Sequence, residues 1–266
     1  MTSFKMKYPI IQRYLSGPSK RRPCLSLARC RFMVAHDTGN PGSTAAANVS
    51  YYERTHADVY QSAHIFVDDK EIIECIPFLT GPAEKAYHVI YDVKTDNARY
   101  GADANDAAGG VELCYGGKID NQEAYKRYVW VMAYSCYRYG LNPATDITGH
   151  YILDPARRTD PQNALQLLGK TFTDFVADVA KEYADCLEED DDMSRPLDLN
   201  LKQWRQLGDQ LTGLSQLPGG PDGDPLISYE WAEKSYKQEL TGSQAAYLAL
   251  MIVSRMAGVA APMRDE

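Results

Sequence analysis

The sequence predicts an α/β protein, a mixed central β-sheet flanked by helices, followed by a small helical C-terminal region. Three observations point there. Short apolar runs bounded by turn residues read as strands. Longer stretches between them place apolar residues at helical spacing. The two kinds mix without strict alternation, which argues against an all-parallel sheet. With 266 residues, 44% of them hydrophobic, the chain has enough core for one large domain, alone or with a small appendage.

The elements follow in order. Residues 31–36 read as a short buried strand that ends at the turn Gly39-Asn40-Pro41-Gly42. Ser43 is placed to cap a helix running to about Val59. Residues 64–68 and 71–76 flank Asp68-Asp69-Lys70, a hairpin pattern. Residues 110–115 form a further strand, with Glu112 and Cys114 on one face. Residues 122–139 have helical spacing and stop at Gly140. Pro161 opens a last long helix over residues 163–186, with Leu165, Leu168, Phe172, Phe175, Val176 and Val179 as its apolar stripe. Glu188-Glu189-Asp190-Asp191-Asp192 then sets five carboxylates side by side, which repel one another and resist burial. The division expected is a main domain 1–187, an acidic linker 188–196 and a helical region 197–266. Within that region a stretch around Trp204 precedes an irregular Pro/Gly loop at 218–225. Helices at 229–240 and 243–257 follow, read as a helical hairpin.

Charge and cysteine usage narrow the function. A net charge of −8 argues against a general nucleic-acid binder. Lys20-Arg21-Arg22 is a local exception and reads as a solvated basic face. The six cysteines include no CxxC pair and suit reduced, mostly buried thiols. The first residues lack the apolar run of a secretory signal, and no apolar stretch is long enough for a membrane span. The expectation is synthesis in the cytoplasm and release by another route, without stable membrane insertion. The oligomeric state is not set by these features.

The segment from His150 to Asp160 carries the chemistry. It puts an imidazole and a carboxylate on either side of a loop stiffened by Pro155, with Pro161 directly after Asp160. His36 supplies a second imidazole far upstream. Two neutral imidazoles and one carboxylate leave Zn²⁺ a net positive charge and room for water, the ligand set of a hydrolytic rather than a structural zinc. Each residue alone has a plainer reading. His36 and His150 fit hydrogen-bonded histidines near strand ends, and Asp160 before Pro161 is a good helix N-cap. His64 reads as a core histidine and His56 as a surface one.

Five segments strengthen the combination: Val34-Ala-His36-Asp-Thr-Gly-Asn, Ser62-Ala-His64-Ile-Phe-Val-Asp, Ala86-Tyr87-His88, Gly110-Val-Glu112-Leu and Gly149-His150 through Arg157-Arg158-Thr-Asp160-Pro161. In this order, over roughly residues 25–185, the chain resembles the zinc-dependent N-acetylmuramoyl-L-alanine amidases of type 2, relatives of the peptidoglycan recognition proteins. The resemblance implies the type 2 amidase fold and Zn²⁺ on His36, His150 and Asp160. It implies Glu112 as the general base and a cleft against bacterial peptidoglycan, where His88, with Tyr87 beside it, stands at the family's aromatic-His position and either binds substrate or packs under the cleft. Some members carry a tyrosine where this chain has Ala63, which leaves the acid/base role to Glu112. Many have cysteine as third ligand, where Asp160 stands here. The residue two before that ligand is often lysine and here is Arg158. A guanidinium stays protonated, so Arg158 is assigned to holding the oxyanion rather than moving protons.

The bond implied is the amide between N-acetylmuramic acid and L-alanine, as cut by a phage endolysin or autolysin. The alternatives are a non-catalytic peptidoglycan-binding module and a zinc endopeptidase that cuts the stem peptide. Residues 229–255, from Tyr229-Glu-Trp231 through Thr241-Gly-Ser to Arg255, resemble the helix pair of one shortened surface-layer-homology repeat. That implies wall binding, with a simple docking or dimerising hairpin as the alternative.

Overall fold

The computed structural model describes residues 3–188, 195–219 and 224–258. The chain divides into two units, one of Phe4–Leu187 and one that joins Ser3 to the residues from Glu188 onward. Short strands β1 (Ser3–Phe4) and β8 (Leu187–Glu188) form a ribbon. The main sheet contains β2 (Ile10–Gln12), β3 (Phe32–Asp37), β4 (Ile65–Val67), β5 (Ile72–Glu74), β6 (Ala108–Leu113) and β7 (Ile147–Gly149), in the order β2-β5-β4-β6-β3-β7. Every neighbouring pair is parallel except the β4–β5 hairpin. The sheet is therefore mixed, as the sequence predicts. Asp68 fixes the hairpin turn, because its Oδ1 accepts from the Lys70 and Glu71 N–H groups, each at 2.8 Å.

Seven helices belong to this unit: α1 (Ala45–Arg54), α2 (Thr95–Tyr100), α3 (Ala104–Ala107), α4 (Asn121–Tyr139), α5 (His150–Leu153), α6 (Gln162–Leu167) and α7 (Phe172–Cys186). α4 packs on one face of the sheet, and α7 packs on α4. There Tyr128, Trp130, Met132, Phe175 and Val179 join Met33, Ala35, Val111 and Leu113 in the main core. Phe32 and Val34, pointing the other way along β3, join Val89, Val93, Ala104, Ala108 and Leu153 in a smaller cluster.

Several boundaries differ from expectation, each for a local reason. Thr44, not Ser43, caps α1, and Asp68 Oδ2 accepts a further N–H from Ala45. The helix stops at Arg54, and the His56 carbonyl is taken by the Arg21 N–H instead of a later turn. The long helix expected over 163–186 is two. Gly169 turns left-handed at φ +65° after α6, and Thr171 with Asp174 forms a capping box that starts α7. The basic patch is not a solvated face. Arg21 is 2% exposed, and Arg22 forms a two-pronged ion pair with Glu84 at 2.8 and 2.7 Å. All six cysteines are free, and only Cys24 is exposed.

The acidic linker expected at 188–196 falls largely on residues 189–194, outside the described residues. In the second unit, α8 (Leu201–Ser215), α9 (Glu230–Tyr236) and α10 (Gly242–Met256) gather around Trp204, Leu211, Ile227, Ala232, Leu240 and Leu248. The expected hairpin of the last two helices is not the main packing. α9 lies chiefly on α8, where Gly208 leaves room for the Tyr236 ring and Ser235 donates to the Trp204 carbonyl at 3.0 Å. Of the irregular loop, residues 220–223 lie outside the described residues. No described helix is long and apolar enough to cross a membrane.

Candidate metal centre

Three adjacent parallel strands deliver the site. His36 lies near the end of β3, Glu112 is its register partner on β6, and His150 follows β7 directly. Ligands of open α/β sheets bind beyond the carboxyl ends of such strands. Strand alternation puts His36 on the side of Phe32 and Val34, and Glu112 on the matching side of Ala108 and Gly110. From beneath, the Tyr128 hydroxyl of α4 lies 3.1 Å from the His36 carbonyl and 3.2 Å from that of Val111, tying the two strands at this level.

Asp160 reaches the histidines because its loop folds back, with the Tyr151 N–H donating to the Asp160 carbonyl at 3.0 Å. Its Oδ2 lies 2.8 Å from His36 Nδ1 and 3.1 Å from His150 Nδ1. One ligand atom from each of the three residues falls within 4.8 Å of the others. Asp160 does not cap the following helix. The capping carboxylate is Asp37, which accepts from the Ala164 N–H at 3.2 Å and the Asn163 amide at 3.0 Å. That transfer leaves the Asp160 side chain to the imidazoles. Burial works to raise its pKa, but the contacts with His150 and His36 outweigh burial and hold it below the ordinary range.

The donor atoms show whether a cation fits. His36 Nδ1, His150 Nδ1 and Asp160 Oδ2 converge, and His88 Nδ1 lies 3.0 Å from His36 Nε2, on the far edge of that ring. Burial lowers the His36 pKa to about 4 and that of His88 well below its ordinary value, which favours neutral imidazoles with a lone pair to offer. Two imidazoles and a carboxylate are the donor set that zinc accepts in hydrolytic sites, so the residues fit Zn²⁺.

Glu112 and Arg158 border the same cavity of about 350 Å³, together with Arg21, Tyr51, Ser62 and His88. Glu112 Oε2 and Arg158 Nε have no hydrogen-bond partner among the described residues, although both atoms are buried. Burial pushes the Glu112 pKa well up, Asp160 and Asp37 push it further, and Arg158 opposes them. Arg158 is not spent on a surface ion pair, because it is Arg157 that binds Asp154, at 2.8 Å. His88 lies on the opposite edge of the His36 ring from Asp160, with both ring nitrogens engaged inside the protein. Tyr87 is not part of the cavity wall and packs between Tyr60 and Tyr91. His64 is a satisfied core histidine, with Nδ1 accepting from the Gly110 N–H and Nε2 donating to the Glu84 carbonyl.

Asp37, Tyr128 and Arg21 are the contributors that the sequence reading did not single out as site residues. Asp37 had one signal, its position beside His36.

The sequence profile described as N-acetylmuramoyl-L-alanine amidase matches residues 26–163. The chain is 33% identical over 161 residues to the N-acetylmuramoyl-L-alanine amidase BlyA of Bacillus subtilis (strain 168), covering 57% of this chain and 40% of that protein. It is 30% identical over 147 residues to the N-acetylmuramoyl-L-alanine amidase CwlL of Bacillus licheniformis, covering 53% of this chain and 39% of the relative. The chain thus spans less than half the length of these relatives. Among solved structures, the catalytic domain of XlyA superposes with a TM-score of 0.51 at 23% identity, over 64% of this chain and 99% of that one. Staphylococcus aureus AmiA superposes with a TM-score of 0.53 at 22% identity, over 67% of this chain and 85% of that one. These two likenesses show a shared fold. The profile match spans just over half of the chain and takes in His36, Glu112, His150 and Asp160, and the chain belongs to the type 2 N-acetylmuramoyl-L-alanine amidase family.

Proposed function

We propose that this protein is a zinc-dependent amidase that hydrolyses the bond between the lactyl group of N-acetylmuramic acid and L-alanine in peptidoglycan. The observation that carries the reading is the single Asp160 oxygen shared by the Nδ1 atoms of His36 and His150, with Glu112 beside it. His36, His150 and Asp160 would hold the zinc, which would supply Lewis acidity and lower the pKa of bound water to ~7. Glu112 takes the proton of the attacking water and returns it to the departing amine of L-alanine. Its raised pKa suits the second half of that task, and positive charge nearby suits the first. Arg158 holds a permanent charge with unused donors at the cavity wall, placed to bind the oxygen that becomes negative as the carbonyl is attacked.

The test is digestion of purified peptidoglycan by the zinc-loaded protein. New N-terminal alanine without new reducing sugar is expected. New reducing ends would make it a glycosidase, and fragments cut inside the peptide would make it an endopeptidase. Wall binding without any cleavage would leave only a recognition module.

His88 supports the centre through His36. Replacing it with phenylalanine keeps a ring but strands the His36 Nε2 proton. Loss of such a partner typically weakens metal binding by about 10- to 100-fold. Competition with a chromogenic chelator is expected to show that loss in His88→Phe. An unchanged zinc affinity would mean that the histidine contact only fills space.

A further inference from the structure

Arg21 stands out as a charge without a counter-charge. It is 2% exposed, and no ion pair to it exists among the described residues. Its neighbours are neutral. The guanidinium lies 4.0 Å from the Tyr52 ring centroid and 5.3 Å from that of Tyr51. Nε donates to Thr55 Oγ1 at 3.0 Å, and Nη1 donates to the Gln61 carbonyl. An arginine has five N–H donors, so about three remain unassigned. A buried cation in this state is strongly disfavoured unless an anion completes it. The adjacent basic side chains do not share the condition. Arg22 is neutralised by Glu84, and Lys20 lies over the Tyr60 ring.

The cavity that Arg21 borders is the one that holds His36, Glu112, Arg158 and Asp160. Tyr52, over whose ring the Arg21 guanidinium lies, borders the same cavity. The charge therefore borders the cleft in which a substrate reaching Glu112 and Asp160 is held.

We propose that Arg21 is a specificity-determining residue that binds a free carboxylate on the peptide side of the substrate. The inference rests on the amidase reading above. The chemistry of the substrate decides the side. In peptidoglycan the glycan is built of N-acetylated sugars, and the lactyl carboxyl is consumed in the scissile amide. Free carboxylates belong to the stem peptide. The nearest to the scissile bond is the α-carboxylate of a γ-linked D-glutamate after L-alanine, which is lost when that residue is amidated. Arg21 thus reads whether this position is an acid or an amide. Its remaining N–H groups bind carboxylate oxygens, while a carboxamide offers one acceptor and no charge.

The test compares two ligands that differ in this one group, muramyl-L-alanyl-γ-D-glutamyl-L-lysinamide and muramyl-L-alanyl-D-isoglutaminyl-L-lysinamide, in both of which the γ-carboxyl is consumed in a peptide bond. Affinity is read by calorimetry in the zinc-loaded Glu112→Gln protein, and turnover in the zinc-loaded wild type. The acid is expected to bind roughly 10- to 100-fold more tightly than the amide, the range for a hydrogen bond to a charged group. Arg21→Met, made in the Glu112→Gln background, is expected to bring that ratio close to one. Equal affinities in the Arg21-containing protein would overturn the proposal without any need for the Arg21 variant to fold. A loss in Arg21→Met that falls equally on both ligands would also overturn it, since a purely structural role leaves the ratio intact. Absence of turnover on both ligands strikes the amidase reading instead, and the affinity ratio still decides the role of Arg21.

Discussion

Replacing Asp160 with alanine is expected to abolish zinc binding at working concentrations and, with it, hydrolysis. Zinc sites with four protein ligands bind with about 10–16 kcal/mol, or about 3 kcal/mol per ligand, so loss of one of three protein ligands weakens binding about a hundredfold or more. The loss extends past one bond. Asp160 Oδ2 is the atom on which both imidazoles converge, at 2.8 and 3.1 Å. Without it the site keeps two neutral donors and no negative charge. The Asp160 backbone is retained in the variant, so its carbonyl still accepts from Tyr151 and α6 keeps its cap from Asp37. The fold is therefore expected to survive, with unchanged circular dichroism. Metal analysis after dialysis checks the first claim and wall digestion the second. A variant that holds a full equivalent of zinc would remove Asp160 from the ligand set, and the centre would have to be rebuilt around His36 and His150 alone.

How much of this was legible in the sequence depends on how local the determinant is. β3, the hairpin around Asp68 and α4 with its Gly140 stop are set by patterns inside each segment, and the sequence places them well. The grouping of His36, His150 and Asp160 was legible because residue type and order carry it. What was not legible depends on partners far away in the chain. Nothing around Asp160 shows that Asp37 caps α6, so its N-cap reading looked as good as its ligand reading. The break at Gly169 was visible as Leu-Gly-Lys-Thr with Asp174, but an apolar stripe continuous from Leu165 to Val179 masked it. Arg21 looked like one of three surface charges, because stacking against Tyr52 leaves no trace in residues 20–22. For His88 the sequence leaves lining the cleft and packing under it both open. Its engagement with His36 and Ala108 is a contact across the sheet that spacing along the chain does not encode.

Glu112→Gln is expected to separate the two roles that meet at this site, holding zinc but losing turnover by about 10²- to 10⁴-fold, the usual contribution of a general base. Glutamine keeps the shape and removes the ability to take a proton. Glu112 is not among the three residues whose ligand atoms converge, so zinc content is expected to stay at one equivalent. A second readout moves the opposite way. In the zinc-free protein, burial and the neighbouring Asp160 and Asp37 carboxylates hold the Glu112 pKa well above its ordinary value, and its Oε2 has no partner among the described residues. The folded state then binds more protons than the unfolded one at pH values above about 4.5, so this group lowers stability as pH rises from there toward the raised pKa. Zinc-free Glu112→Gln is therefore expected to melt at a higher temperature than zinc-free wild type at neutral pH. The gap should shrink as pH falls toward the unperturbed carboxyl range. A residue kept for packing gives the reverse, a lower melting temperature with turnover impaired only as far as folding is. Loss of stability together with near-wild-type turnover per folded molecule would strip Glu112 of its catalytic assignment. A gain in stability with turnover lost means that the fold tolerates an unpaired carboxylate because the reaction uses it.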